Sequence, residues 1–136
     1  MPDGFRASPS VAAGIDCVLV IDNDTHLLHS FIEVLQAYGM PVATARDDHE
    51  ALAAFRWYSP GVLLTDIATP ERCHTALAMR RARPAMKVVA MSGGTGVQRL
   101  DFLTIAKRFG PDAIVHKPFD VSGLVKLLRT LVQRRW

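Results

Sequence analysis

Two hydrophobic rhythms alternate along this chain. CVLVI (17–21) is a short unbroken apolar run, the pattern of a strand buried on both faces. It gives way to Leu27, Leu28, Phe31, Val34, Leu35 and Tyr38, spaced three and four apart as on one face of a helix. Asp24 or Thr25 is placed to cap that helix, and Gly39 with Pro41 to stop it. VATA (42–45) is a weaker strand. Residues 47–58 are helical again, with Ala51, Leu52, Phe55 and Tyr58 on one face, and Ser59-Pro60-Gly61 breaks the pattern. VLLT (62–65), KVVAM (87–91) and AIVH (113–116) are further strands. Helices are predicted over 72–83, weakly amphipathic, over 97–109, ending before Gly110-Pro111, and over 120–133. The last has Val121, Leu124, Val125, Leu128, Leu131 and Val132 on its apolar face.

Strands that alternate with helices, and are apolar throughout, predict an α/β fold. The expected form is a single doubly wound (βα)5 domain, a five-stranded parallel sheet with helices on both faces. Residues 1–14 are rich in Pro, Gly, Ser and Ala without periodicity and are expected to be a flexible tail, leaving 15–136 as the domain.

Composition narrows the function classes. With 136 residues, 49% hydrophobic and 21% charged, one ordinary globular core is expected. The net charge of +3 is scattered, without a basic block, so no direct DNA binding is expected. Cys17 and Cys73 lie far apart without metal-ligand spacing and are expected to be reduced and buried. No long apolar run suggests a membrane span and no leader pattern is present, so a cytoplasmic location is expected.

Right-handed crossovers place every strand's C-terminal end on one edge of the sheet, where ligands bind in such folds. The residues just past the strand ends are Asp22-Asn23-Asp24, Asp66, Ser92 and Lys117. Carboxylates, a hydroxyl and an ammonium on one edge suit phosphoryl transfer. Carboxylates bind a hard cation such as Mg²⁺. Lysine and serine can stabilise a phosphoryl group, and one carboxylate can act as nucleophile. Asp66, alone at the end of the middle strand, is the candidate nucleophile.

Four stretches carry a resemblance. VLVIDND (18–24), LLTDIATP (63–70), VVAMSG (88–93) and HKPFD (116–120) resemble, in order and separation, the motifs of the response-regulator receiver domain (CheY-like) of two-component signalling. The resemblance implies a flavodoxin-like fold and transfer of a phosphoryl group from a phosphohistidine on a sensor histidine kinase or histidine phosphotransferase. It implies Asp66 as phosphoacceptor and Ser92 and Lys117 as phosphoryl-binding residues. It also implies a Mg²⁺ site made by Asp22, Asn23, Asp66 and the backbone carbonyl of Ala68. Pro118 would follow the lysine through a peptide bond that is often cis in the family. Such a domain is a signalling phosphoacceptor and not an enzyme in the ordinary sense. Its output would pass to a downstream protein through the face of the fourth helix, fifth strand and fifth helix, where Lys107, Arg108, Lys126 and Arg129 stand. Little sequence follows the last predicted helix, so a stand-alone receiver without an output domain is expected.

The chain departs from the pattern at three places. Asn23 replaces a second acidic residue, so weak Mg²⁺ affinity is expected. Ile114 stands where many members carry a switching aromatic. The segment 70–87 is shortened and lacks a glycine-containing turn, so a short or poorly formed third helix is expected. Two readings stay open: a phosphoaccepting receiver, favoured by Asp66, Ser92 and Lys117, and a phosphorylation-independent receiver-like interaction module, favoured by Asn23 and Ile114. SGGTG (92–96) lacks the lysine of a nucleotide-binding loop, and His26 and His29 read as an exposed helix face.

Overall fold

The computed structural model describes residues 6–7, 16–67, 69–92, 110–117 and 120–132. In chain order its elements are β1 (Arg6–Ala7), β2 (Asp16–Ile21), α1 (Thr25–Ala37), β3 (Val42–Ala45), α2 (Asp48–Trp57), β4 (Ser59–Asp66), α3 (Pro70–Ala82), β5 (Lys87–Ser92), β6 (Ala113–His116) and α4 (Val121–Val132). The helix expected over 97–109 lies outside the described residues.

One sheet holds all six strands in the order β1-β3-β2-β4-β5-β6. Strands β2 to β6 run parallel, as expected. β1 pairs antiparallel with β3, through Arg6↔Thr44 and Ala7↔Ala43. Part of the segment read as a tail is therefore a strand. Two residues joined only by backbone pairing leave no periodicity for a sequence reading to find. The strand order reverses between β2 and β4, which opens a crevice at their C-terminal ends.

Period-two alternation divides the core between the two faces of the sheet. Val18, Val20, Val42, Val62, Leu64, Val89 and Met91 face α1 and α4, meeting Leu28, Phe31, Leu35, Leu124, Val125 and Leu128. Cys17, Leu19, Ile21, Ala43, Ala45, Leu63, Val88 and Ala90 face α2 and α3, meeting Ala51, Ala54, Cys73, Ala76 and Met79. The second face is built largely of small side chains, which lets α2 and α3 lie close to the sheet. Both cysteines are buried, and neither forms a disulfide.

Local chemistry fixes the helix ends. Asp24 caps α1, accepting from the N–H groups of His26 (3.1 Å) and Leu27 (3.2 Å). Gly39 ends it at φ 78°, with Met40 N donating to the Leu35 carbonyl at 2.9 Å, a Schellman closure that favours glycine. Asp47 caps α2 through Glu50 N at 2.8 Å. Thr69 caps α3 through Arg72 N at 3.1 Å, with Pro70 at the first helical position.

Two expectations are corrected. Ser59-Pro60-Gly61 does more than end α2: these are the first residues of β4. Cys17 pairs with Pro60 and Val18 with Val62, so Gly61 is the extra residue of a bulge, and the bulge tolerates the neighbouring proline. The third helix is not short. α3 has 13 residues, as many as α1. Its Thr69-Pro70 start comes directly after β4, so the helix begins where a turn was missing, and Ala76, Cys73 and Met79 anchor it to the sheet.

Candidate functional site

β2 and β4 end side by side at the crevice and deliver the two carboxylates. Asp22 follows β2, and its N–H donates to the Ala45 carbonyl at 3.1 Å. Its carboxylate is 1% exposed. Oδ1 accepts from Asp24 N at 2.9 Å, and Oδ2 is paired with Lys117 Nζ. Lys117 arrives from the end of β6, and its N–H donates to the Ser92 carbonyl at 2.8 Å, tying the ends of β5 and β6 together. Ser92 closes β5 and is 3% exposed. Its hydroxyl finds no hydrogen-bond partner among the described residues. A buried hydroxyl without a partner is costly and calls for an explanation.

Asp66 closes β4 and is 5% exposed. Its Oδ1 is held by Arg72 Nη1, from the first turn of α3. Arg72 is itself buried, and its Nε donates to Asp48 Oδ1, at the start of α2, at 2.7 Å. One guanidinium thus bridges the Asp66 carboxylate and α2. A cation in the first turn of a helix is opposed by the helix dipole, by about 0.3–1 kcal/mol. Two carboxylates at hydrogen-bond distance outweigh that.

Burial dominates the acidity of Asp66. Its carboxyl is pushed up to about 6: loss of water raises it most, Arg72 lowers it, the nearby charge of Asp22 raises it and Lys117 lowers it. The thiol of Cys73, one residue after Arg72, is pushed up to about 11, first by burial and then by the charge of Asp66.

The sequence-predicted residues therefore separate into groups. Asp22, Asp66 and Lys117 are close enough to act on one another's charge, and Ser92 stands at the adjoining strand end. Asn23 follows Asp22 but is exposed. Ile114, on β6, is partly buried against the α2 and α3 side of the core. Ala68 and Pro118 lie outside the described residues, as do Lys107 and Arg108. Lys126 is exposed on α4, while Arg129 donates from Nη2 to the Tyr38 carbonyl at 2.8 Å.

Arg72 and Asp48 were not found from the sequence. The signal was the Thr69-Pro70 pair: a cap followed by proline at the first helical position puts Arg72 in the first turn, facing back toward Asp66.

The charge arrangement does not suit a divalent cation. Asp66 is paired with Arg72, Asp22 with Lys117, and Asn23 is neutral. Among the described residues no three His, Cys, Asp or Glu side chains converge on a point that could hold a metal ion.

A family model described as the response regulator receiver domain matches residues 18–129. The chain belongs to that family. Its relatives include two proteins of Mycobacterium tuberculosis, described as "Probable transcriptional regulatory protein TcrX" and "Transcriptional regulatory protein PrrA". TcrX is 30% identical over 120 residues, 86% of this chain and 50% of the relative. PrrA is 31% identical over 120 residues, 87% of this chain and 50% of the relative. The chain spans about half the length of these relatives. Among solved structures, a CheY-like receiver domain protein from Methanospirillum hungatei superposes with a TM-score of 0.76 at 23% identity, covering 88% of this chain and 95% of that one. This likeness bears on the receiver fold alone. No helix among the described residues of the receiver is long and apolar enough to cross a membrane.

Proposed function

We propose that this receiver takes a phosphoryl group onto Asp66 from a phosphohistidine of a sensor kinase or phosphotransferase, and passes the signal on by protein contact. The observation that carries the reading is Ser92: a buried hydroxyl without a partner among the described residues, at the strand end beside Asp66 and tied to Lys117. A phosphoryl oxygen would satisfy it. Arg72 holds Oδ1 of Asp66, and Oδ2 takes no hydrogen bond from a described residue. Oδ2 attacks phosphorus, forming a P–O bond. The P–N bond to the donor imidazole breaks, and its electron pair leaves on the nitrogen, which takes a proton from water. Lys117 and Ser92 then stabilise the charge on the phosphoryl oxygens. A downstream protein would meet α4 and β6, where Lys126 is exposed; charge reversal at Lys126 is expected to weaken that contact.

The test is intact-mass spectrometry after incubation with phosphoramidate. A phosphate adduct is expected on the wild type and not on Asp66→Asn. The pairing of Asp66 with Arg72 favours a second reading, in which the receiver binds its partner without phosphorylation. No adduct on the wild type, together with equal partner capture by wild type and Asp66→Asn, would favour that reading.

A further inference from the structure

The guanidinium at the acceptor carboxylate is a built feature of this chain. Two carboxylates hold it: Asp48 Oδ1 takes Nε at 2.7 Å, and Nη1 meets Asp66 Oδ1. The residue's backbone is fixed separately, its N–H donating to the Thr69 Oγ1 cap at 3.1 Å. Arg72 and Asp66 are both buried. The residue also sits in a helical turn that starts only four residues after Asp66, so its reach is set by the same shortened segment that removes a turn. On the other side of the pocket, Asn23 brings no charge with which to attract a metal.

We infer that Arg72 is the resident cation of the phosphoryl site, holding at Asp66 the position a divalent ion would need and supplying positive charge to the incoming phosphoryl oxygens. A guanidinium suits this work. It stays charged at every relevant pH, and its planar fork can hold a carboxylate oxygen and a phosphoryl oxygen together. Asp48 keeps it oriented. The consequence is a site whose phosphoryl chemistry is independent of added divalent metal. That consequence rests on the phosphoacceptor reading; the exclusion of metal by Arg72 does not.

Two measurements on the full chain separate the parts. The first is Mn²⁺ binding by electron paramagnetic resonance, on the wild type, Arg72→Met and Asp48→Asn. Arg72→Met is expected to bind Mn²⁺ at least about tenfold more tightly than wild type, because a unit charge a few ångströms away has been removed. Asp48→Asn leaves the guanidinium in place but untethered, and should fall between the two. It serves as the second variant if Arg72→Met does not fold. Equal Mn²⁺ affinity in wild type and variants would overturn the inference.

The second measurement is adduct formation from phosphoramidate, in chelator and in millimolar Mg²⁺. Wild type is expected to react at rates within about threefold of each other in the two conditions. Arg72→Met should be at least about tenfold slower in chelator and recover with Mg²⁺. A wild-type adduct that forms only with Mg²⁺ overturns the proposal. No wild-type adduct in either condition overturns the phosphoacceptor reading, while the Mn²⁺ result still decides what Arg72 does.

Discussion

The two ion pairs at the crevice are built in opposite ways. Asp22 and Lys117 stand 95 residues apart in the chain and meet only because β2 and β6 end on the same edge of the sheet. Asp66 and Arg72 are six residues apart and meet because α3 starts immediately after β4. The first pair depends on topology and the second on local chain geometry. They also differ in balance. Asp22 has both oxygens engaged, one by a backbone N–H and one by the lysine. Asp66 has one oxygen held and a carboxyl pushed up to about 6, so its guanidinium does not offset the cost of burial. Among the described residues the pocket therefore pairs a carboxylate with both oxygens engaged and one with a single oxygen held.

The largest expected effect breaks the topological pair. Lys117→Met leaves the Asp22 carboxylate, 1% exposed, without a cation. Removing one partner of a buried pair is expected to lower folding stability by about 3 kcal/mol in urea denaturation. A loss below about 0.5 kcal/mol would mean that the long-range pair holds nothing together.

The opposite sign is expected on the local side. The Asp66 carboxyl is raised from 3.8 to about 6 in the folded state. Its contribution to stability is therefore fully present below pH 4 and is lost as the pH rises through 6. Asp66→Asn removes that loss. It should stabilise the protein by about 3 kcal/mol at pH 7.5 and by little at pH 4, as read from paired urea titrations across that window. A gain that did not change with pH would show that burial is not the cause.

The smallest effect sharpens the contrast. Ser92→Ala removes a buried hydroxyl that has no described partner. It is expected to raise stability by about 1 kcal/mol while slowing adduct formation at Asp66. A loss of stability would mean that the hydroxyl is already satisfied in the resting protein.

What could be read from the sequence follows the same division. The five parallel strands and the edge carrying Asp22, Asp66, Ser92 and Lys117 were visible because strand periodicity and crossover handedness do not depend on detail. VATA (42–45) and AIVH (113–116) match their strands residue for residue. Arg72 was missed because its direction depends on where α3 begins, and a weakly amphipathic stretch with Arg80, Arg81 and Ala82 at its end blurs that start. Gly61 was read as a breaker because a bulge and a turn use the same residue. β1 was missed because backbone pairing by Arg6 and Ala7 asks nothing of side-chain pattern.

That short antiparallel strand has a consequence for how the molecule meets its neighbours. A sheet margin with free N–H and C=O groups invites another chain to add on, the start of fibril growth and of strand exchange. β1 covers β3 at one margin, while the four residues of β6 form the other. Removing the first eight residues would uncover Ala43 and Thr44 and is expected to increase self-association, as read by light scattering. Among the described strands the opposite margin is β6, whose end leads into Lys117.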